Sequence, residues 1–154
     1  MRKTTLLIIF VTAFTTTCIH KSSGPVSAWE RVNVNMAALA EINHDVAKGI
    51  ITAQQTGLLT VQQAAPILSY QEIVAKDHAA IENILATGSS QATSHSAAIQ
   101  ALLEKIKRQG TTLIQSGGLG VKNPRSQQTF AQDLQAIVNL TETVLADFQL
   151  AKGN

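Results

Sequence analysis

Apolar residues recur at intervals of three and four from Ser27 to the end of the chain, and this spacing constrains the fold more than any other feature of the sequence. A repeat near 3.6 residues places apolar side chains on one face of an α-helix, whereas a half-buried strand needs strict alternation. No stretch after Ser27 alternates in that way. The sequence therefore predicts an all-α fold.

The first predicted helix begins at Ser27, which forms a capping box with Glu30, and it ends near Gly57. Ile42 widens its apolar face. The face itself is formed by Val32, Met36, Leu39, Asn43, Val46, Ile50 and Ala53. We expect these side chains to point into the core.

The second predicted helix begins near Thr60, capped by Thr60 with Gln63, and ends at the breaker Gly88-Ser89-Ser90. Pro66 lies inside it and is expected either to kink the helix or to move its start to a later residue. Its inward face is formed by Ile67, Tyr70, Val74, Ile81 and Ile84.

The third predicted helix starts around Thr93 or Ser94 and ends where Gly117 and Gly118 permit left-handed backbone conformations. Gly110 is expected to weaken its last turns. Its inward face is formed by Ile99, Leu102, Ile106 and Leu113.

The fourth predicted helix has Asn123 as its N-cap and Pro124 as its first residue, a favoured position for proline. Apolar residues follow at alternating steps of four and three, which makes it the most regular amphipathic segment. They are Phe130, Leu134, Ile137, Thr141, Val144 and Phe148.

Short connections join these helices, so sequence neighbours are expected to pack antiparallel. The prediction is an antiparallel up-down four-helix bundle over residues 27–154. Some inward positions are polar, and we interpret them as fixing helix register or as touching solvent at the edge of the core. A functional polar site is the alternative. The positions are Asn43, Asp77 or His78, Gln109 and Thr141.

A different pattern precedes the bundle. Met1-Arg2-Lys3 is basic, the apolar stretch of residues 4–14 follows, and Cys18 comes just before a polar run. The apolar stretch is shorter than the roughly 20 residues of a membrane-spanning helix. This arrangement resembles a bacterial lipoprotein signal, although Thr15 and Thr17 stand where such signals usually carry an aliphatic and a small residue.

The resemblance implies that residues 1–17 are a signal peptide and that Cys18 receives a lipid anchor. Residues 18–26 then form a flexible tether rich in Ser, Gly and Pro. The protein would be exported and anchored to the membrane at the cell envelope, on its periplasmic or outer face. Two alternatives stay open: cleavage at Val26-Ser27-Ala28, and Cys18 as an unmodified thiol.

Charge argues against nucleic acid as a partner. The chain has 12 basic and 10 acidic residues, but Arg2 and Lys3 lie in the predicted signal, so the remainder is neutral. Nucleic-acid binding needs a clustered surplus of cations, and binding of single strands also needs aromatic rings for stacking. The four rings outside the predicted signal are widely scattered: Trp29, Tyr70, Phe130 and Phe148.

Three histidines were weighed as metal ligands. Glu41 and His44 form one Glu-x-x-His pair, but a di-iron bundle needs two such pairs. His44, His78 and His95 lie on three predicted helices, and we treat them as minor candidates. The sequence predicts no metal and no cofactor.

The sequence also lacks the motifs of common enzymes. It has no Gly-x-Ser-x-Gly elbow, and its glycine-rich segment 117–120 follows a helix and lacks the Walker spacing. We therefore predict a protein that is not an enzyme.

Basic residues concentrate near the end of the third helix and in the next connection. Helix dipoles favour cations at a C-terminus, so a solvated helix end explains their placement. Contact with an anion such as a lipid headgroup or an acidic wall polymer is the alternative. The residues are Lys105, Lys107, Arg108, Lys122 and Arg125.

Together these features favour a non-enzymatic, membrane-tethered helical protein of the bacterial cell envelope, probed best through its contacts with an envelope protein partner. The alternative is a secreted or periplasmic helical bundle that binds a small ligand or a metal.

Overall fold

The computed structural model describes residues 26–116, 121 and 124–153. It contains helices α1 (Ala28–Gln55), α2 (Val61–Leu85), α3 (Ser89–Ser94), α4 (Ser96–Gln115) and α5 (Pro124–Gly153). No strand occurs among the described residues, so the prediction of an all-helical fold is confirmed. The short α3 is an addition to the four predicted helices.

Helix α1 agrees with the prediction from the sequence. The Ser27 hydroxyl accepts a hydrogen bond from the backbone N–H of Glu30 at 3.1 Å, which satisfies one free donor of the first turn. The seven buried residues of α1 are the seven predicted from the spacing. Past its end, Gly57 has a φ of +74°, a conformation that glycine adopts without strain.

Helix α2 starts at Val61, so the prediction of a later start because of Pro66 is wrong. A complete capping box holds the first turn: Gln63 N–H donates to the Thr60 hydroxyl at 3.2 Å, and Thr60 N–H donates to the Gln63 side chain at 2.8 Å. Pro66 removes only the bond to the carbonyl four residues earlier, in that capped turn.

The third predicted helix is divided in two. Gly88, with a φ of +100°, precedes the short α3, and α4 then begins at Ser96, after the predicted Thr93 or Ser94. Ala92 is fully buried and holds α3 against the core. On α4, Leu103 rather than Leu102 is fully buried, because the inward steps run from Ile99 by four and then by three.

Helix α5 has a buried face that contains most of the predicted residues, with Phe130 and Ala131 packed at its edge. The predicted cap Asn123 and the predicted stop at Gly117 and Gly118 lie outside the described residues.

The four long helices enclose one apolar core. Helix α1 packs against α2 and α5, and α4 packs against the same two helices. The largest fully buried side chains come from all four. Within the described part of the chain, no helix combines the length and the apolar character that a membrane span requires.

Candidate functional site

A groove of about 400 Å³ runs between α1 and α2, and we call it the α1–α2 groove. Asn43, Gln71 and His78 are its buried polar residues, and His44 and Glu72 lie at its exposed rim. Small and aliphatic residues complete the lining: Ala40, Ala47, Leu68, Val74 and Ala75.

Helical spacing brings the buried polar residues together. Asn43 continues the inward series of α1, and Gln71 and His78 lie seven residues apart on α2, on one face of that helix. The sequence predicted Asn43 and His78 at inward positions but missed Gln71. Gln71 follows the inward Tyr70, and both are buried because α2 contacts α1 on one side and α4 on the other.

The amides of this groove are incompletely hydrogen bonded. Asn43 is 7% exposed, and its Nδ2 donates to the backbone carbonyl of Gln71 at 3.1 Å. Since an amide oxygen would repel that carbonyl, the Asn43 orientation is set. Asn43 Oδ1, Gln71 Oε1 and Gln71 Nε2 are buried without a hydrogen-bond partner among the described residues, and we call them the open amide atoms.

Such atoms are costly for a protein to bury. A buried polar group without a partner destabilises the fold by about 1–3 kcal/mol. Gln71 is only 3% exposed, so its own solvent contact offers little compensation. A groove that exposes these atoms to a bound molecule is therefore a site where binding recovers hydrogen bonds that folding leaves unmade.

His78 is held in one tautomer. Its Nε2 lies 2.8 Å from the carbonyl oxygen of Met36, which can only accept, so Nε2 carries the proton. Its Nδ1 lies 3.5 Å from a carboxylate oxygen of Glu82 on the exposed surface of α2. The ring thereby links α1 to α2 as a structural donor.

The three histidines weighed as metal ligands do not all meet. His44 and His78 line the α1–α2 groove, but His95 lies at the junction of α3 and α4. There its Nδ1 donates to the Gln91 carbonyl at 3.0 Å. Across the described ranges, no group of three or more His, Cys, Asp or Glu residues could hold a metal ion.

A second groove, of about 350 Å³, lies between α2 and α4. The Tyr70 hydroxyl donates to the Ile106 carbonyl at 3.3 Å, and burial raises the pKa of Tyr70 above its ordinary value. Gln109 Oε1 is buried there without a partner in the described residues, and Arg108 lies at the exposed edge. The predicted inward position of Gln109 is thus half-buried.

The predicted cationic cluster is partly engaged within the fold. Lys105 Nζ donates to Asp77 Oδ1 at 2.9 Å, and Lys107 Nζ lies 3.4 Å from Glu142. Arg108 and Arg125 are exposed, and Lys122 lies outside the described residues. Two of the five cations therefore have carboxylates of neighbouring helices beside them.

A further polar cluster, which the sequence analysis missed, joins the start of α1 to the end of α5. Asp147 accepts hydrogen bonds from Arg31 Nε at 2.8 Å and from Asn35 Nδ2 at 2.9 Å. Arg31 and Asn35 are four residues apart on one face of α1, and Asp147 precedes the inward Phe148, so helical spacing offered a signal. Trp29 meets Phe148 edge-to-face beside this cluster.

The described groups favour binding over proton transfer. Amides neither gain nor lose protons near neutral pH, and the one buried imidazole donates to a backbone carbonyl. Cys18, the predicted lipid acceptor, lies outside the described residues. No protein-family model, no curated protein and no solved structure matches this chain.

Proposed function

We propose that this chain is a non-enzymatic helical protein of the bacterial cell envelope, exported and held on the membrane by a lipid anchor at Cys18. The observation that carries the proposal is the order of the first 18 residues, with a basic start, an apolar stretch and a cysteine. We propose that the bundle acts through contacts with an envelope protein partner.

The proposal includes an antiparallel up-down arrangement of the four long helices. Pairs of contacts support it. On α1 and α2, Met36 meets His78 while Asn43 meets Gln71, so the residue numbers run in opposite senses.

The other helix pairs give the same indication. Between α2 and α4, Tyr70 meets Ile106 and Asp77 meets Lys105. With opposite directions at each contact, the start of α1 and the end of α5 lie at one end of the bundle, where Arg31 meets Asp147. The tether would join the bundle at that end.

The start of α1 supports processing at Cys18 over cleavage at Val26-Ser27-Ala28. Cleavage after Ala28 would remove the Ser27 hydroxyl that caps α1. It would also remove the Val26 carbonyl, which accepts a hydrogen bond from Arg31 Nη1 at 3.0 Å. Loss of such a cap destabilises a helix by about 1 kcal/mol.

Membrane fractionation of bacterial cells tests the anchor. The wild-type chain should sediment with membranes and need detergent for release, whereas Cys18→Ser should lose the acyl chains that hold it there. Ser22→Ala, in the same predicted tether, is the matched control and should fractionate like the wild type. Release of the wild type without detergent would contradict the anchor.

The partner is tested by cross-linking in intact cells that produce the wild-type chain. We expect one product larger than the cross-linked chain alone, with a second envelope protein identified in it by mass spectrometry. Recovery of the uncross-linked chain only, at cross-linker levels that capture a known envelope complex in the same cells, would contradict the partner.

The open amide atoms favour a second candidate function, binding of a small molecule in the α1–α2 groove. Concave sites with apolar walls and a few buried polar groups are typical of small-ligand sites. The metal form of this candidate predicts bound transition metal by elemental analysis and a lower melting temperature on chelation. Absence of both would remove the metal form and leave the organic ligand.

A further inference from the structure

We propose that the α1–α2 groove binds a small neutral molecule through a primary carboxamide group. The inference rests on the second candidate function above, and it names the chemical class of the ligand. It starts from the open amide atoms, two of which accept hydrogen bonds and one of which donates.

A primary carboxamide matches that set. Its nitrogen provides two N–H donors, which Asn43 Oδ1 and Gln71 Oε1 can accept, and its oxygen can accept from Gln71 Nε2. Interchange of the Gln71 oxygen and nitrogen leaves the match unchanged, since the same numbers of donors and acceptors remain. Asn43 has no such freedom, because its Nδ2 faces the Gln71 carbonyl.

Charged groups fit this set less well. A carboxylate provides no donor and would bring its oxygens against Asn43 Oδ1 and Gln71 Oε1. A guanidinium or ammonium provides no acceptor for Gln71 Nε2. Among the described residues that line the groove, Glu72 carries the only full charge at neutral pH, and it is exposed at the rim, so an ion at the buried amides would be desolvated without a nearby counter-charge.

The walls indicate what the carboxamide is attached to. Ala47, Leu68 and Ala75 line the groove and present only apolar side chains. A short aliphatic group attached to the carboxamide would cover these side chains and remove apolar surface from water. Isobutyramide is therefore a suitable probe.

The test uses the full-length chain in non-ionic detergent and follows the side-chain amide signals of Asn43 and Gln71 by ¹H–¹⁵N NMR. Isobutyramide should shift both signals and saturate with a Kd on the order of 1–10 mM, as expected of a ligand with so few atoms. Isobutyrate, which has the same carbon skeleton, should bind at least tenfold more weakly. This comparison needs no variant.

A pair of variants locates the site. Gln71→Met removes two open amide atoms while keeping the side-chain length, and it should weaken isobutyramide binding at least tenfold. Gln109→Met is the matched control, because it removes a partly buried amide with an oxygen in the same condition from the other groove, between α2 and α4. Binding to Gln109→Met should equal that of the wild type.

The failures are distinguishable. If isobutyrate binds as tightly as isobutyramide, or Gln71→Met binds as the wild type does, the carboxamide assignment is overturned while ligand binding in the groove stands. If neither isobutyramide nor a set of small alcohols, acids and amines shifts the Asn43 and Gln71 signals, both the assignment and the second candidate function are overturned.

Discussion

At the scale of single residues, the described fold treats its buried carboxylates and its buried amides differently. Asp77 and Asp147 are each matched by a cation from another helix, Lys105 and Arg31. Gln71 and Asn43 retain atoms without protein partners among the described residues. The carboxylates therefore stabilise helix contacts, whereas the amides leave binding capacity in the α1–α2 groove.

The Asp77–Lys105 pair gives an asymmetric prediction. The Asp77 side chain is 4% exposed and that of Lys105 is 38% exposed. Lys105→Met leaves a buried carboxylate without its cation and should lower the free energy of unfolding by about 3 kcal/mol.

Lys107→Met is the control for this pair, since both carboxylates near Lys107 are about half exposed. It should change the free energy of unfolding by less than about 1 kcal/mol. Urea denaturation of both variants measures the difference, and equal losses would contradict the role assigned to Asp77.

Asp133 gives a prediction with a definite pH dependence. Burial raises the pKa of this carboxyl above 3.8, so the folded state holds its proton more tightly than the unfolded state does. That contribution is complete below the unfolded pKa and is lost as the pH rises through the folded pKa. Asp133→Asn should therefore raise the melting temperature at pH 7, and the gain should vanish near pH 3.

Asp45→Asn, on the exposed face of α1, is the control for that measurement. Surface substitutions of this kind change stability by about 0.5 kcal/mol at most. A melting temperature of Asp133→Asn that is equal to or below the wild-type value at pH 7 would show that ionisation of this carboxyl does not oppose folding.

At the scale of the helices, the apolar spacing predicted α1 best, because one stripe of residues there faces the core. The spacing failed on α4, where Leu102 and Leu103 are adjacent and only the packing decides which is fully buried. It also missed α3, since a six-residue helix is too short to show a period.

Gly110 shows how packing overrides helix propensity. An added Cβ at this position would lie 2.5 Å from the Tyr70 hydroxyl oxygen and 2.7 Å from Val138 Cγ2, so α2, α4 and α5 can approach only because the side chain is absent. Gly→Ala normally stabilises an exposed helix interior by about 1 kcal/mol. Gly110→Ala should instead destabilise the fold by about 1–3 kcal/mol.

Adding Tyr70→Phe to Gly110→Ala should recover part of that loss, because it removes the closest atom and leaves the Val138 contact. Gly153→Ala is the control, since a Cβ there meets nothing within 4 Å. A stabilising effect of Gly110→Ala in urea denaturation would contradict the close approach of the three helices.

At the scale of the whole molecule, the sequence was sufficient for the helical class and most of the core, but it was insufficient for the groove. Asn43 and His78 could be placed at inward positions from their spacing, whereas the position of each along the bundle depends on how α1 slides against α2. The same uncertainty explains why His44 and His78 share the groove while His95 does not.

Mass spectrometry of the N-terminus of the chain, purified from the membranes of a bacterial host, tests the central claim most directly. The account predicts a chain that begins at Cys18 and carries a diacylglycerol on its sulfur. An unmodified chain that begins at Trp29 would contradict the lipid anchor, and with it the proposal that this helical protein is tethered to the envelope.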